Sequence, residues 1–195
     1  MMQSGIILIL ALATVSLASG LTPNDVALIA DIKQSAKQTK LVLIQQSLRS
    51  IREIAESMIA ANAVSARERR NLEEFIQRTS AKLRLPTLGE SAIEETLDDL
   101  KAIIGFAELS EEEGKARMTQ YTNGKYAIII EKAAQQFNRE IQLFAYITNP
   151  KIRQLSASAQ QSEQRLISAF NNLAYAGLVR IEQSFSDFLE LIERY

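Results

Sequence analysis

The chain contains no cysteine and no histidine among its 195 residues, and these two absences exclude many classes of chemistry. Ser-His-Asp and Cys-His triads, common zinc sites and thiol redox pairs each require one residue or the other. Disulfides are excluded as well, so packing alone must hold the fold. Glycine-rich phosphate-binding patterns and the EF-hand pattern do not occur either. We therefore expect a protein that is not an enzyme and that needs no metal or cofactor.

The chain is also poor in helix-breaking residues, with three prolines and seven glycines. No segment alternates between apolar and polar residues for long enough to indicate a strand. The formal net charge of −1 provides no overall attraction to nucleic acid, and no interleaving of aromatic and basic residues suggests a nucleic-acid site. These features predict an all-α protein with no nucleic-acid partner.

The first twenty residues have the pattern of a cleaved secretory signal peptide. An apolar run over 6–13 continues through Val15 and Leu17 and stops at the small residues of 18–20. The run is too short for a comfortable membrane span. A typical signal peptide has a Lys or Arg before its apolar run, and this sequence has neither there. We expect cleavage before Leu21, with cleavage after Ala18 as the alternative. The mature chain is then a secreted single domain over 21–195 with no transmembrane span.

Capping signals and apolar spacing divide this domain into helices. Thr22-Pro23 opens the first, while Ser65 and Ser110 each stand three residues before a Glu, which is the spacing of a capping box. Asn149-Pro150 is expected to open the last helix. The predicted helices span about 23–62, 65–84, 91–107, 110–148, with a break or kink at Asn123-Gly124, and 150–193.

Short connections between helices favour antiparallel neighbours. The sequence thus predicts an antiparallel bundle of four to five amphipathic helices, of which three are long and two are short. The two short helices would together take the place of a fourth long helix in the bundle. Ten of the twelve aromatic residues lie at or after Tyr121, so the last two helices are expected to supply the largest core side chains.

Apolar residues at spacings of three and four form one stripe on each of the last two helices. The candidate stripe residues are Ile130, Phe137, Ile141, Phe144, Phe170, Ile181, Phe185 and Phe188. Such a stripe is usually bundle core. It could instead line a cavity for a lipid or another apolar ligand, or form a coiled-coil contact between copies.

Charge is unevenly distributed along the chain. Residues 90–113 carry nine acidic groups and a single basic one, whereas 115–151 carry six basic groups and two acidic ones. Complementary packing of neighbouring helices is the favoured interpretation. A surface for an acidic partner or for lipid headgroups is the alternative.

Together these observations predict a secreted, non-enzymatic helical protein that acts by protein–protein interaction or as a structural component. The alternative is an extracellular carrier that holds a lipid or another apolar ligand between its helices. The sequence identifies neither the protein partner nor the ligand, and it leaves a homo-oligomer open.

Overall fold

A computed structural model describes residues 20–106 and 109–195. These residues form eight α-helices joined by turns, with no strand among them, as the all-α prediction requires. The helices are α1 (Pro23–Ala60), α2 (Ala66–Lys82), α3 (Ser91–Ile103), α4 (Glu111–Tyr121), α5 (Lys125–Arg153), α6 (Ala157–Ser162), α7 (Gln164–Ala174) and α8 (Ile181–Ile192). The predicted signal peptide lies almost wholly outside the described residues.

The helices α1, α2 and α4 begin where the capping signals predict. At Ser65 the hydroxyl oxygen accepts the Glu68 amide at 3.3 Å, and the Glu68 carboxylate accepts the Ser65 amide at 2.7 Å. This reciprocal pair is a capping box, and it satisfies two backbone donors that a helix start leaves unpaired. Ser110 and Glu113 form the same arrangement at the start of α4.

The predicted fourth helix is divided at Asn123-Gly124 into α4 and α5. Both residues adopt positive φ, at 50° and 81°. The Gly124 amide donates to the Thr119 carbonyl at 2.8 Å. This hydrogen bond ends α4, and it forms because the backbone adopts the left-handed conformation here. The interruption that the sequence suggested at this dipeptide is therefore a true helix end.

The prediction that Pro150 opens the last helix is wrong. Pro150 lies inside α5, which continues to Arg153, and the next cap is Ser156, whose hydroxyl accepts the Ala159 amide at 3.2 Å. Proline has no amide hydrogen, so at this position it costs α5 one backbone hydrogen bond, yet the helix continues for three more residues. Asparagine and serine both cap helices well, and here Ser156 is the residue whose side chain makes the capping hydrogen bond.

The region predicted as one long final helix contains the end of α5 and three shorter helices, α6, α7 and α8. It is interrupted first at 154–156, then at Glu163, and again over 175–180. The last interruption lets α8 fold back on α7, so that the rings of Phe170 and Phe188 approach to 6.0 Å. One helix would leave these two apolar faces far apart along its axis, whereas two short helices bury them against each other.

The described residues divide into two compact units. The terminal unit contains 20–39 and 138–195, and the central unit contains 40–137 apart from the two undescribed residues. The helices α1 and α5 each contribute residues to both units. The single domain over 21–195, and a bundle of four to five helices, stay predictions.

In the central unit, α1 packs antiparallel to α2. Near one end of the α1 and α2 pair, Arg52 donates to Ser80, and near the other end Arg69 donates to the Ile59 carbonyl. The core is apolar; its fully buried members include Ala55, Met58, Leu72 and Leu100.

In the terminal unit, the start of α1 packs antiparallel to the end of α5. Asp25 accepts hydrogen bonds from Ser156, while Lys151 pairs with Asp31 at 2.7 Å one and a half turns further along α1. Ile32, Ile141 and Leu166 are fully buried here. Antiparallel neighbours thus occur inside both units.

Candidate binding sites

The predicted stripe residues lie mostly in the core. Ile141, Phe144, Phe170, Ile181, Phe185 and Phe188 are all buried. Phe137 is half-buried. A ligand-binding role for the stripe stays a prediction.

Ile130 does not lie on the buried face and is not part of the core, whereas a ligand-binding role for it stays a prediction. It is 44% exposed, and its neighbour Ile128 is 66% exposed, whereas Ile129 between them is 4% exposed. The three consecutive isoleucines are equally apolar, and their side chains point to three different sides of the helix. The sequence pattern alone could not show which of them faces the core.

Close aromatic contacts explain why the buried stripe behaves as core. The ring centroid of Phe144 lies 5.4 Å from that of Phe185 and 5.6 Å from that of Phe188. These distances and the tilted ring planes are typical of favourable aromatic pairs. The rings therefore pack against each other and fill the space between their helices.

The central unit contains an apolar cavity of about 420 Å³, formed where α3 ends, α4 begins and α5 begins. None of the predicted stripe residues lines it. The lining residues are Leu97, Lys101, Phe106, Leu109, Ser110, Gly114, Lys115, Met118 and Tyr126.

Two local motifs, at the end of α3 and at the start of α4, position the residues that line the cavity. The end of α3 is closed by Gly105, at φ 68°, and the Phe106 amide donates to the Lys101 carbonyl at 2.8 Å. This is the Schellman pattern, which turns the chain sharply at a glycine. Phe106 is thereby held against the core, with its ring centroid 5.4 Å from that of Tyr121.

On the other side of the cavity, the capping box of α4 fixes the helix start. Ser110 donates to the Glu113 carboxylate through its hydroxyl at 2.7 Å and through its amide at 3.1 Å. These hydrogen bonds lower the pKa of Glu113 below its ordinary value. The hydrogen bonds between Ser110 and Glu113 therefore hold the first turn of α4 in place beside the cavity.

A second candidate site is the turn between α7 and α8, which we call the apolar turn and define as residues 175–180. Tyr175 is 82% exposed, Leu178 is 64% exposed and Val179 is 99% exposed. The Arg180 amide donates to the Gly177 carbonyl at 2.9 Å, which closes the turn. The sequence pattern did not indicate this surface, because these residues were predicted to lie inside one helix.

A polar groove of about 730 Å³ lies beside the apolar turn. Its lining residues are Asn171, Asn172, Tyr175, Ala176, Gly177, Arg180, Gln183, Ser184 and Asp187. The apolar tip of the turn is thus bordered by groups that can exchange hydrogen bonds with a partner.

In the central unit, acidic residues of 90–113 pair with basic residues that precede them in the chain. Lys82 approaches Glu95 at 3.9 Å and Arg78 approaches Asp99 at 3.8 Å, which joins α2 to α3. Lys40 pairs with Glu90 at 2.9 Å. Exposed pairs of this kind contribute little energy. Because Lys40, Arg78 and Lys82 all lie outside 115–151, the packing of 90–113 against 115–151 stays a prediction.

Asp25 is the one buried ionisable side chain among the described residues with known burial. Its carboxylate accepts four hydrogen bonds, from the amide and hydroxyl of Thr22 and from the amide and hydroxyl of Ser156, at 2.6–2.8 Å. Burial acts to raise the pKa, but the bonds from Ser156 and Thr22 outweigh it and lower the pKa to about 2. A carboxylate this acidic and this fully bonded anchors α1 to the α5–α6 connection.

The protein should lose stability in acid, because protonation of Asp25 removes the contribution of its carboxylate. Because its pKa is lowered from 3.8 to about 2, its contribution is complete at higher pH and is lost as the pH falls through this interval. The shift corresponds to about 2 kcal/mol. Asp25→Asn should therefore reduce the free energy of unfolding by a similar amount at neutral pH and by little near pH 2, measured by urea unfolding.

The matched control is Asp187→Asn, because Asp187 is an exposed carboxylate in the same unit. Its unfolding free energy should stay within about 0.5 kcal/mol of the unmodified protein. An unchanged acid dependence in Asp25→Asn would contradict the role of this carboxylate.

No protein-family model, curated protein or solved structure matches the chain. Across the described residues, no helix is both long enough and apolar enough to cross a membrane. The same part of the chain holds no group of three or more acidic side chains arranged to bind a metal ion.

Proposed function

We propose that the protein is secreted, is not an enzyme, and acts by protein–protein interaction or as a structural component, with the apolar turn as its contact surface. The observation that carries this proposal is the exposure of Tyr175, Leu178 and Val179 on one short turn. Apolar side chains grouped on a surface favour contact with another molecule, because water contact with them is unfavourable.

The chemistry of the turn fits a protein partner. Tyrosine is enriched at the energetic centres of interfaces, and two aliphatic side chains beside it can enter an apolar pocket on the partner. Arg180 and Asp187 border the turn and can form the polar rim that such interfaces have.

A second apolar group in the same unit supports an interaction role. Leu143, Tyr146 and Ile147 are exposed on α5, Tyr146 by 79%. Their spacing of three and four places them on one side of the helix. The terminal unit therefore presents two exposed apolar groups.

A photo-crosslinking side chain at position 179 tests the proposal. On protein secreted from a eukaryotic host and returned to the medium of the cells that make it, we expect one defined protein adduct. Adding Leu178→Asp should reduce its yield about tenfold, since it places a charge in the contact. An adduct with a second copy would identify a homo-oligomer.

The control places the same crosslinker at Gln161, which is exposed in the same unit. Identical diffuse labelling from both positions would count against the apolar turn as a contact. The intact mass of the same secreted material tests export separately, because cleavage before Leu21 or after Ala18 predicts two definite masses.

The alternative function is an extracellular carrier of a lipid or another apolar ligand. The cavity of the central unit favours it, because its volume falls in the range of small-molecule sites, roughly 300–1,000 Å³.

A further inference from the structure

The apolar turn lacks the local signals that bound other helices of this chain. The helices α3 and α4 end at left-handed residues, Gly105 at φ 68° and Gly124 at φ 81°, and α6 begins at the side-chain cap of Ser156. All of 175–180 is described, and no residue there has a positive φ. The start of α8 has no side-chain cap hydrogen bond either. The local backbone of the turn therefore does not itself impose a helix end.

If α7 and α8 were one continuous helix, their buried residues would share a face. These residues are Leu166, Phe170, Leu173, Ile181, Phe185, Phe188, Leu189 and Ile192. A helix turns by about 100° per residue, which places all of them except Leu189 within about one third of its circumference. Tyr175, Leu178 and Val179, at spacings of three and four, would lie together on another side. The sequence is therefore compatible with a straight helix as well as with the hairpin.

Packing against the rest of the terminal unit is what holds α8 in the hairpin. The Phe188 ring lies 6.0 Å from the Phe170 ring of α7. Just after α8, the Lys33 ammonium of α1 donates to the Glu193 carbonyl at 2.9 Å. The α8 helix of a second copy can make the same contacts, because its sequence is the same. Exchange of α8 between two copies therefore keeps these interactions.

We propose that the partner of the apolar turn is a second copy of this chain and that the two copies exchange α8. In the exchanged dimer, α7 and α8 of each copy form one helix through the turn, and α8 packs on the core of the other copy. Tyr175, Leu178 and Val179 then form one apolar face where the two straightened helices meet, which removes them from water. The proposal rests on the proposed function, because it keeps the apolar turn as the contact surface and names what contacts it.

Gly177→Ala should favour the exchanged dimer. A Cβ at position 177 meets no atom within 4 Å, and the residue does not have a positive φ, so the closed turn accepts alanine. Alanine is the better helix former, and each dimer contains two straightened turns. We expect the dimerisation constant, measured by analytical ultracentrifugation, to rise at least about tenfold. A monomer at every concentration of Gly177→Ala would contradict the exchange.

Leu178→Pro should have the opposite effect. Leu178 is the first central residue of the turn that the Arg180 amide and the Gly177 carbonyl close, a position that proline favours. In a straight helix the same proline would lose a hydrogen bond and clash with the preceding turn. We expect a monomer with an unchanged midpoint of urea unfolding and a dimerisation constant at least about a hundredfold lower. Leu178→Ala is the matched control, since it removes the same side chain but permits the helix, and it should lose less than about tenfold. Equal losses in both variants would indicate surface contact without exchange.

A crosslink between isotopically distinct copies tests the exchange directly. The Tyr195 hydroxyl, just after α8, donates to the Glu163 carboxylate, just before α7. A photo-crosslinking phenylalanine analogue would replace Tyr195 in Gly177→Ala, and heavy-isotope and ordinary copies would be refolded together from urea. In the isolated dimer, we expect crosslinks from position 195 to the region of Glu163 to join heavy and ordinary peptides, whereas those in the monomer join peptides of one isotope. Pairs of one isotope alone in the dimer would overturn the exchange.

The exchange and the proposed function can fail separately. Capture of a different protein by the crosslinker at position 179, without a dimer of Gly177→Ala, would overturn the exchange and leave the apolar turn as a contact surface. Diffuse labelling from position 179, together with a monomer in every variant, would overturn both.

Discussion

Ile141→Asp should abolish cooperative folding of the terminal unit or block secretion of the chain. Ile141 is fully buried in α5, within the unit that holds the Phe144, Phe185 and Phe188 rings. A carboxylate there would lose its water without gaining a partner, which costs several kcal/mol. A domain of this size has a total stability of about 5–15 kcal/mol, so the loss is a large part of it. Secreted yield and urea unfolding measure the result.

Gln142→Asp is the control for this change. Gln142 is the next residue of the same helix, but it is exposed, so its carboxylate stays hydrated. We expect a change of less than about 0.5 kcal/mol. Normal folding of Ile141→Asp would show that this part of α5 is not core, and a simultaneous loss of a partner or ligand would make the stripe a binding surface.

Phe188→Ala should destabilise the terminal unit by about 3–5 kcal/mol. The Phe188 side chain is fully buried, and its ring contacts those of Phe144 and Phe170 at centroid distances of 5.6 and 6.0 Å. Truncation removes the transfer energy of the ring and leaves a cavity that its rigid neighbours cannot fill. Chemical denaturation would give the loss directly.

Tyr146→Ala is the matched aromatic truncation in the same unit. Tyr146 is 79% exposed on α5, so little buried surface is lost, and alanine is the better helix former. We expect the free energy of unfolding to change by less than about 0.5 kcal/mol. A similar cost for both truncations would mean that burial is not what makes Phe188 important.

The helix starts could be predicted because capping is local. The contacts between Ser65 and Glu68, and between Ser110 and Glu113, depend on a spacing of three residues that the sequence displays. The Ile128–Ile130 run could not be assigned to a face, because a helix rotates by about 100° per residue and all three residues are equally apolar. Only packing against the rest of the unit selected Ile129.

The candidate sites were harder to predict than the core. The cavity is built from the end of α3 and the beginnings of α4 and α5, so its lining residues share no periodicity. The one local signal was Gly105-Phe106, which ends α3. The apolar turn was missed for a different reason. Its Tyr, Leu and Val continue an apolar pattern, and Gly177 alone was too weak a signal to end the helix.

The two-unit division determines what removing residues from either end would do. The terminal unit is assembled from 20–39 and 138–195, while the central unit is interposed between these segments. Loss of the first segment deprives Ser156 of its Asp25 acceptor, and loss of the second deprives Asp25 of its Ser156 donors. N-terminal and C-terminal truncations therefore damage the same structure. A deletion series that reaches Asp25 from one end should therefore be interpreted together with a series that reaches Ser156 from the other.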